Sequence, residues 1–104
     1  MEFLLKVEEI SNDFPNTIKL KGDVDITIEL PLNILGIKLS KGENVKLVLQ
    51  QEKDKELHKY KVYAWGIVYY VGNNITRISI GGLQLDIMKE LPLKVGEKVY
   101  IGII

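Results

Sequence analysis

Residues 60–88 read YKVYAWGIVYYVGNNITRISIGGLQLDIM, and the reading of this stretch decides the fold. Two runs of β-branched and aromatic residues flank Gly72-Asn73-Asn74, and a third run follows Gly81-Gly82. Such runs separated by Gly- and Asn-rich turns read as a hairpin followed by a third strand. The stretch holds the only Trp, the only Arg and five of the eight aromatics. Its first run, residues 63–71, is apolar at both parities: Tyr63, Trp65, Ile67, Tyr69 and Val71 at odd positions, Ala64, Gly66, Val68 and Tyr70 at even ones. A wall strand of a small domain needs only one apolar face, so something has to cover the other.

The same strand chemistry continues on both sides. Residues 2–10 form a first strand with Phe3, Leu5 and Val7 on one face, and residues 17–21 return as a second strand after the turn cluster Asp13-Phe14-Pro15-Asn16. Residues 25–32 put Ile26, Ile28, Leu30 and Leu32 on one face, and residues 45–50 put Val45, Leu47 and Leu49 inward. Residues 31–36 fit one or two helical turns, with Pro31 at the start and Gly36 at the end. The polar residues 51–59 read as a mobile loop or a frayed turn. Beyond the hairpin, residues 83–87 and 99–104 are strands, with a short helical turn predicted at 88–91. The halves, about 1–50 and 60–104, share a plan: Lys41-Gly42-Glu43-Asn44-Val45 matches Val95-Gly96-Glu97-Lys98-Val99, and residues 17–22 match 76–81. The expectation is a single all-β domain over 1–104, an eight-stranded antiparallel barrel of two similar four-strand halves with one or two short helical turns.

At 104 residues the chain is long enough to bury a core. No apolar run is long enough to span a bilayer. The first eight residues lack the basic and apolar regions of a signal peptide, so a cytoplasmic location is expected, without membrane contact. Without Cys there is no disulfide, thiolate metal site or thiol nucleophile. Fourteen basic and fourteen acidic residues cancel. Residues 1–30 carry three Lys against seven acids and residues 38–61 seven Lys against four, a modest asymmetry that suits a solvated face.

No catalytic set is visible, and neither metal nor cofactor is expected. His58 sits in a polar run without carboxylates at metal spacing. Ser11, Ser40 and Ser79 have no base near them in sequence, and Asp86 fits the polar face of its strand. Gly81-Gly82 stands between strands rather than before a helix, which suits a turn or bulge and not a phosphate cradle. The aromatics Tyr60, Tyr63, Trp65, Tyr69 and Tyr70 suit either a base-stacking platform or a protein interface. Zero net charge and a single Arg favour the protein interface.

Residues 61–70 (KVYAWGIVYY), Ser79-Ile80-Gly81-Gly82-Leu83-Gln84-Leu85 and the closing Val99-Tyr100-Ile101 resemble the small eighth subunit of DNA-directed RNA polymerases in its compact archaeal form. Tyr63, Gly66, Val68 and Tyr69 fit its first element, Ser79, Gly81, Gly82, Leu83 and Leu85 its second, and Val99 and Tyr100 its third. The resemblance covers about the last 45 residues. It implies a barrel related to the OB-fold and a non-catalytic subunit bound to the largest polymerase subunit, meeting nucleic acid only through the complex. The candidate partner interface is Tyr63, Trp65, Gly66, Val68, Tyr69, Tyr70, Gly81, Gly82 and Leu83. The alternative is a free-standing OB-like protein that binds single-stranded nucleic acid through the aromatic strand and the lysines of residues 38–61.

Overall fold

Apolar side chains at every second position can all be buried if the strands close on themselves, and the chain does this. The computed structural model describes residues 1–104. Its elements are β1 (Glu2–Ile10), β2 (Asn16–Gly22), β3 (Ile26–Leu30), the four-residue α1 (Leu32–Leu35), β4 (Asn44–Gln50), a 3-10 turn (Leu57–Lys59), β5 (Val62–Gly72), β6 (Ile75–Ile80), β7 (Leu83–Ile87) and β8 (Lys98–Ile103). The strands form a closed antiparallel barrel in the order β1-β2-β3-β7-β6-β5-β8-β4. The all-β, eight-stranded antiparallel barrel expected from the strand pattern is thus the observed fold. Its lumen is filled by one cluster of 22 buried apolar residues, among them Val7, Ile18, Leu47, Val68, Ile78, Leu85 and Ile101. Closure removes the free strand edges that would otherwise invite pairing with another chain.

The two halves are related by an approximate twofold axis. Exchanging β1–β4 with β5–β8 leaves the list of paired strands unchanged. Local detail agrees. The register of β1 against β2 slips just after Val7, and that of β5 against β6 just after Val68. Val7 N–H donates to the Glu43 carbonyl at 2.9 Å and its carbonyl accepts from Gly42 N–H at 2.7 Å; Val68 makes the same pair of bonds with Glu97 and Gly96 at the same lengths. In the turns that deliver β4 and β8, the carboxylates of Glu43 and Glu97 accept from the N–H groups of Ser40 and Lys94, at 3.1 and 3.0 Å. Gly42 and Gly96 hold φ of 89° and 92°, a conformation that excludes most side chains. The Gly-Glu match seen in the sequence is therefore one turn built twice. The second match is off by one residue: Val7 faces Leu20 and Val68 faces Ile78, so Ile18, not Thr17, corresponds to Thr76.

Three local expectations are corrected. Residue 32 leaves the strand: β3 ends at Leu30, and Leu32 opens α1, with Pro31 just before it and Gly36 closing it at φ 67°. Residues 88–91 form no helical turn. Thr76, buried in the core, donates its hydroxyl to the Lys89 carbonyl (2.8 Å) and accepts from Leu91 N–H (2.9 Å), which ties that bent segment to β6. Residues 51–60 are neither free nor frayed, for reasons that belong to the barrel's outer face.

Candidate protein-docking face

Along β5 the inward residues are Val62, Ala64, Gly66 and Val68, and the outward ones Tyr63, Trp65, Ile67 and Tyr69. The bulge after Val68 then resets the alternation. Val71 packs on the core, and Tyr70 joins Tyr69 at the surface. The bulge therefore brings both tyrosines to one side. On the neighbouring β8 the outward residues are Lys98, Tyr100 and Gly102, which stand opposite Ile67, Trp65 and Tyr63.

The result is a contiguous aromatic face. Trp65 is 53% exposed and Tyr69 42%. The Lys98 ammonium lies 4.5 Å from the centroid of the Trp65 ring and 5.2 Å from that of Tyr100. Tyr100 stacks with Tyr63 at 6.0 Å and an interplanar angle of 12°, and Tyr63 meets Tyr60 at 4.8 Å. At the far end, Gln84 on β7 donates to the Tyr69 hydroxyl, Asn73 donates to the Tyr70 hydroxyl at 2.8 Å, and the Arg77 guanidinium lies 6.0 Å from the Tyr70 ring.

Residues 51–60 form a strap along one margin of this face. The Tyr60 ring lies where a side chain on Gly102 would be: a Cβ there would come within 2.4 Å of it. The strap is tied by Asp54. Its carboxylate accepts from the Tyr60 hydroxyl at 2.6 Å, from Glu56 N–H at 2.9 Å and from Lys59 at 2.9 Å, while its own N–H donates to the Tyr63 hydroxyl at 2.8 Å. The Tyr60 hydroxyl first, then the Glu56 amide and Lys59, hold the Asp54 carboxyl far below the ordinary carboxylate range. The same bond pushes the Tyr60 hydroxyl up. A polar run in the sequence is thus a folded element, which periodicity cannot reveal because each of these bonds depends on a particular side chain.

The other half supplies a natural comparison. The cross-strand pairs Tyr63–Gly102, Trp65–Tyr100 and Ile67–Lys98 of β5 and β8 correspond to Glu2–Val48, Leu4–Lys46 and Lys6–Asn44 of β1 and β4. There the exterior is held by ion pairs, Lys46 with Glu2 at 3.0 Å and Lys21 with Glu8 at 3.1 Å. The same barrel wall therefore tolerates a charged exterior. Its inward residues make the fold, and the aromatic exterior of β5 and β8 is not required by it. Other exposed apolar residues, such as Leu4, Phe14, Leu57 and Val95, lie outside β5 and β8, and Ile34 and Leu35 share the short α1.

The interface residues proposed from sequence separate accordingly. Tyr63, Trp65, Tyr69 and Tyr70 reach the outer face. Val68 does not: it is fully buried in the lumen, so its place in a partner interface is corrected. Gly66 is also corrected. It is buried because a Cβ would come within 2.7 Å of Ile78 Cγ2 and of the Ser79 carbonyl, so its task is to let β6 pack closely. Gly81 and Gly82 form the exposed β6–β7 turn at φ 57° and 95°, and Leu83 begins β7, half-buried. Residues that sequence reasoning passed over are Lys98, the cation among the rings, and Tyr100, its second aromatic wall. Their signal was the pairing of β8 with β5.

No group of three or more His, Cys, Asp or Glu side chains comes together. His58 is exposed on the 3-10 turn. A cleft of about 810 Å³ opens between residues 51–56, Met1 and Pro92-Leu93. Its charged lining alternates Glu52, Asp54 and Glu56 with Lys53 and Lys55, so it selects no ion sign.

No family model matches the chain, and no curated protein does. Among solved structures it matches the cytoplasmic molybdate-binding protein ModG, at 15% identity over 99% of this chain and 89% of that one, with a TM-score of 0.39. A likeness of that size carries no argument about function. These findings correct the resemblance to the RNA polymerase subunit: neither a polymerase family model nor a curated polymerase subunit matches the chain. The structure shows why its motif misleads. Gly66 makes room for β6, Val68, Leu85 and Val99 fill the lumen, and Gly81-Gly82 turns the chain, which are needs of the barrel itself. The largest polymerase subunit, named as partner on that resemblance alone, has no support.

Proposed function

We propose that this chain is a non-catalytic, cytoplasmic binding subunit, a β-barrel that docks on a partner protein through the outer face of β5 and β8. One observation carries this reading: two symmetry-related walls of one barrel differ outside, one salt-bridged and the other aromatic. Burial of exposed Trp and Tyr is what drives stable protein interfaces, where such residues act as anchors. A closed barrel offers no free edge for strand addition, so the partner is to be met side chain to side chain.

The charge distribution supports a protein partner over a nucleic acid. Of the seven lysines in residues 38–61, Lys46, Lys59 and Lys61 are committed to Glu2, Asp54 and Glu43, and none of the other four lies on β5 or β8. Along the β5–β8 face only Lys98 is a free cation, whereas a strand of nucleic acid needs a basic track several nucleotides long. The absence of Cys suits a reducing compartment.

The test is affinity capture of the tagged full chain from its native cells at moderate salt, beside the Trp65→Ala variant. Wild type retains a protein in stoichiometric amount, and Trp65→Ala, folded by circular dichroism, loses it by about 2 kcal/mol or more of binding energy. Capture that is indifferent to Trp65, or tight binding of single-stranded oligonucleotides that falls steeply with salt, contradicts the reading.

A further inference from the structure

We infer that the docking face is keyed to an acidic segment of its partner, with one Asp or Glu carboxylate seated on Lys98 between Trp65 and Tyr100. This rests on the protein-docking reading above and specifies the chemistry of the occupant. Lys98 takes part in none of the six ion pairs of the chain, although most lysines near the barrel wall do. Its ammonium is instead held against two ring faces, 4.5 Å from Trp65 and 5.2 Å from Tyr100. Ring faces attract a cation without neutralising it, so its charge stays available to an incoming anion.

The neighbours of Lys98 strengthen the case. Outward residues of β5 beside it, Trp65 and Ile67, are uncharged, and Tyr100 follows it on β8. Glu97, next in sequence, stays ionised but makes no ion pair with Lys98; its carboxylate is turned to the Lys94 N–H and the Gln51 amide. Asp86 lies across the sheet beside Arg77 and Gln84. The face is therefore apolar with one uncompensated positive charge at its middle. When a partner covers it, water leaves, and an ammonium left unpaired there would have nothing to offset its lost hydration, whereas a carboxylate opposite it is bound more strongly than in water. The symmetry-related position is Asn44, uncharged, so the barrel itself does not need a cation there.

A library of random twelve-residue peptides panned on the immobilised full chain tests this, with binding of the synthesised winners read from the fluorescence anisotropy of a dye on the peptide, a signal that serves the Trp65→Ala variant as well. The selected peptides are to carry Asp or Glu beside apolar residues. Their affinity is to fall about tenfold in Lys98→Met, to recover in Lys98→Arg, and to fall equally when the peptide acid becomes its amide, with no further loss when both changes are combined. Thermal melts of the variants confirm that each remains folded. If Trp65→Ala abolishes binding but Lys98→Met and the amide peptides bind like wild type, the carboxylate seat is overturned and the docking reading stands. If no peptide binds above the Trp65→Ala background, or a twelve-nucleotide oligo-dT binds more tightly than any peptide, both are overturned.

Discussion

Gly102 and Tyr60 show how one missing side chain organises the outside of the barrel. The Tyr60 ring occupies the space above Gly102, and Val48, the cross-strand partner of Gly102, is buried though it points away from the lumen. Gly102→Ala is expected to push the ring away and cost about 1–3 kcal/mol, seen as a lower midpoint in urea. Thr76→Val keeps shape but leaves the Lys89 carbonyl and Leu91 N–H without their partner, an expected loss of about 1–3 kcal/mol in the same assay. Asp54 gives a pH signature. Its carboxyl is depressed in the folded state, so its contribution is whole above the unfolded value of about 4 and is lost as pH falls below that toward the folded value. The difference in melting temperature between wild type and Asp54→Asn is expected to be constant from pH 8 to 5 and to shrink progressively below pH 4. A difference that instead grows on acidification would contradict the proposed tie.

At the scale of elements, the strap and the bulge are what the sequence concealed. Alternation in residues 63–71 is apolar on both faces, and without the bulge after Val68 there is no way to learn that Tyr70 faces out and Val71 in. A bulge breaks a period of two without leaving a compositional mark. By contrast, the alternation of residues 26–30 was legible because Thr27 and Glu29 stand between Ile26, Ile28 and Leu30; in residues 2–10 Phe3, Leu5 and Val7 still mark the inward row, although Leu4 interrupts the polar one. The strap was illegible because its order comes from Asp54, Tyr60 and Tyr63, three side chains whose meeting depends on the barrel already being closed. Tyr60→Ala is expected to release it. Trypsin is then to cut at Lys53, Lys55 or Lys59 severalfold faster than in wild type, while the barrel stays intact by near-ultraviolet circular dichroism. Equal cleavage rates would mean that the strap is held by something other than Tyr60.

At the scale of the molecule, the approximate twofold axis separates what the fold demands from what it does not. Both halves repeat the Gly-Glu turn, the bulge and the inward apolar rows, and these were partly visible as the match between residues 41–45 and 95–99. The outer surfaces diverge, as do the connections, where α1 follows β3 and no helix follows β7. The most direct measurement is therefore to give β5 the exterior of β1, replacing Trp65 by Leu, Ile67 by Lys and Tyr69 by Glu after Leu4, Lys6 and Glu8. Folding stability and partner capture are then measured on the same protein. The account predicts a melting temperature within a few degrees of wild type together with loss of the captured partner. A barrel that fails to fold, or a partner that is still captured, would contradict it.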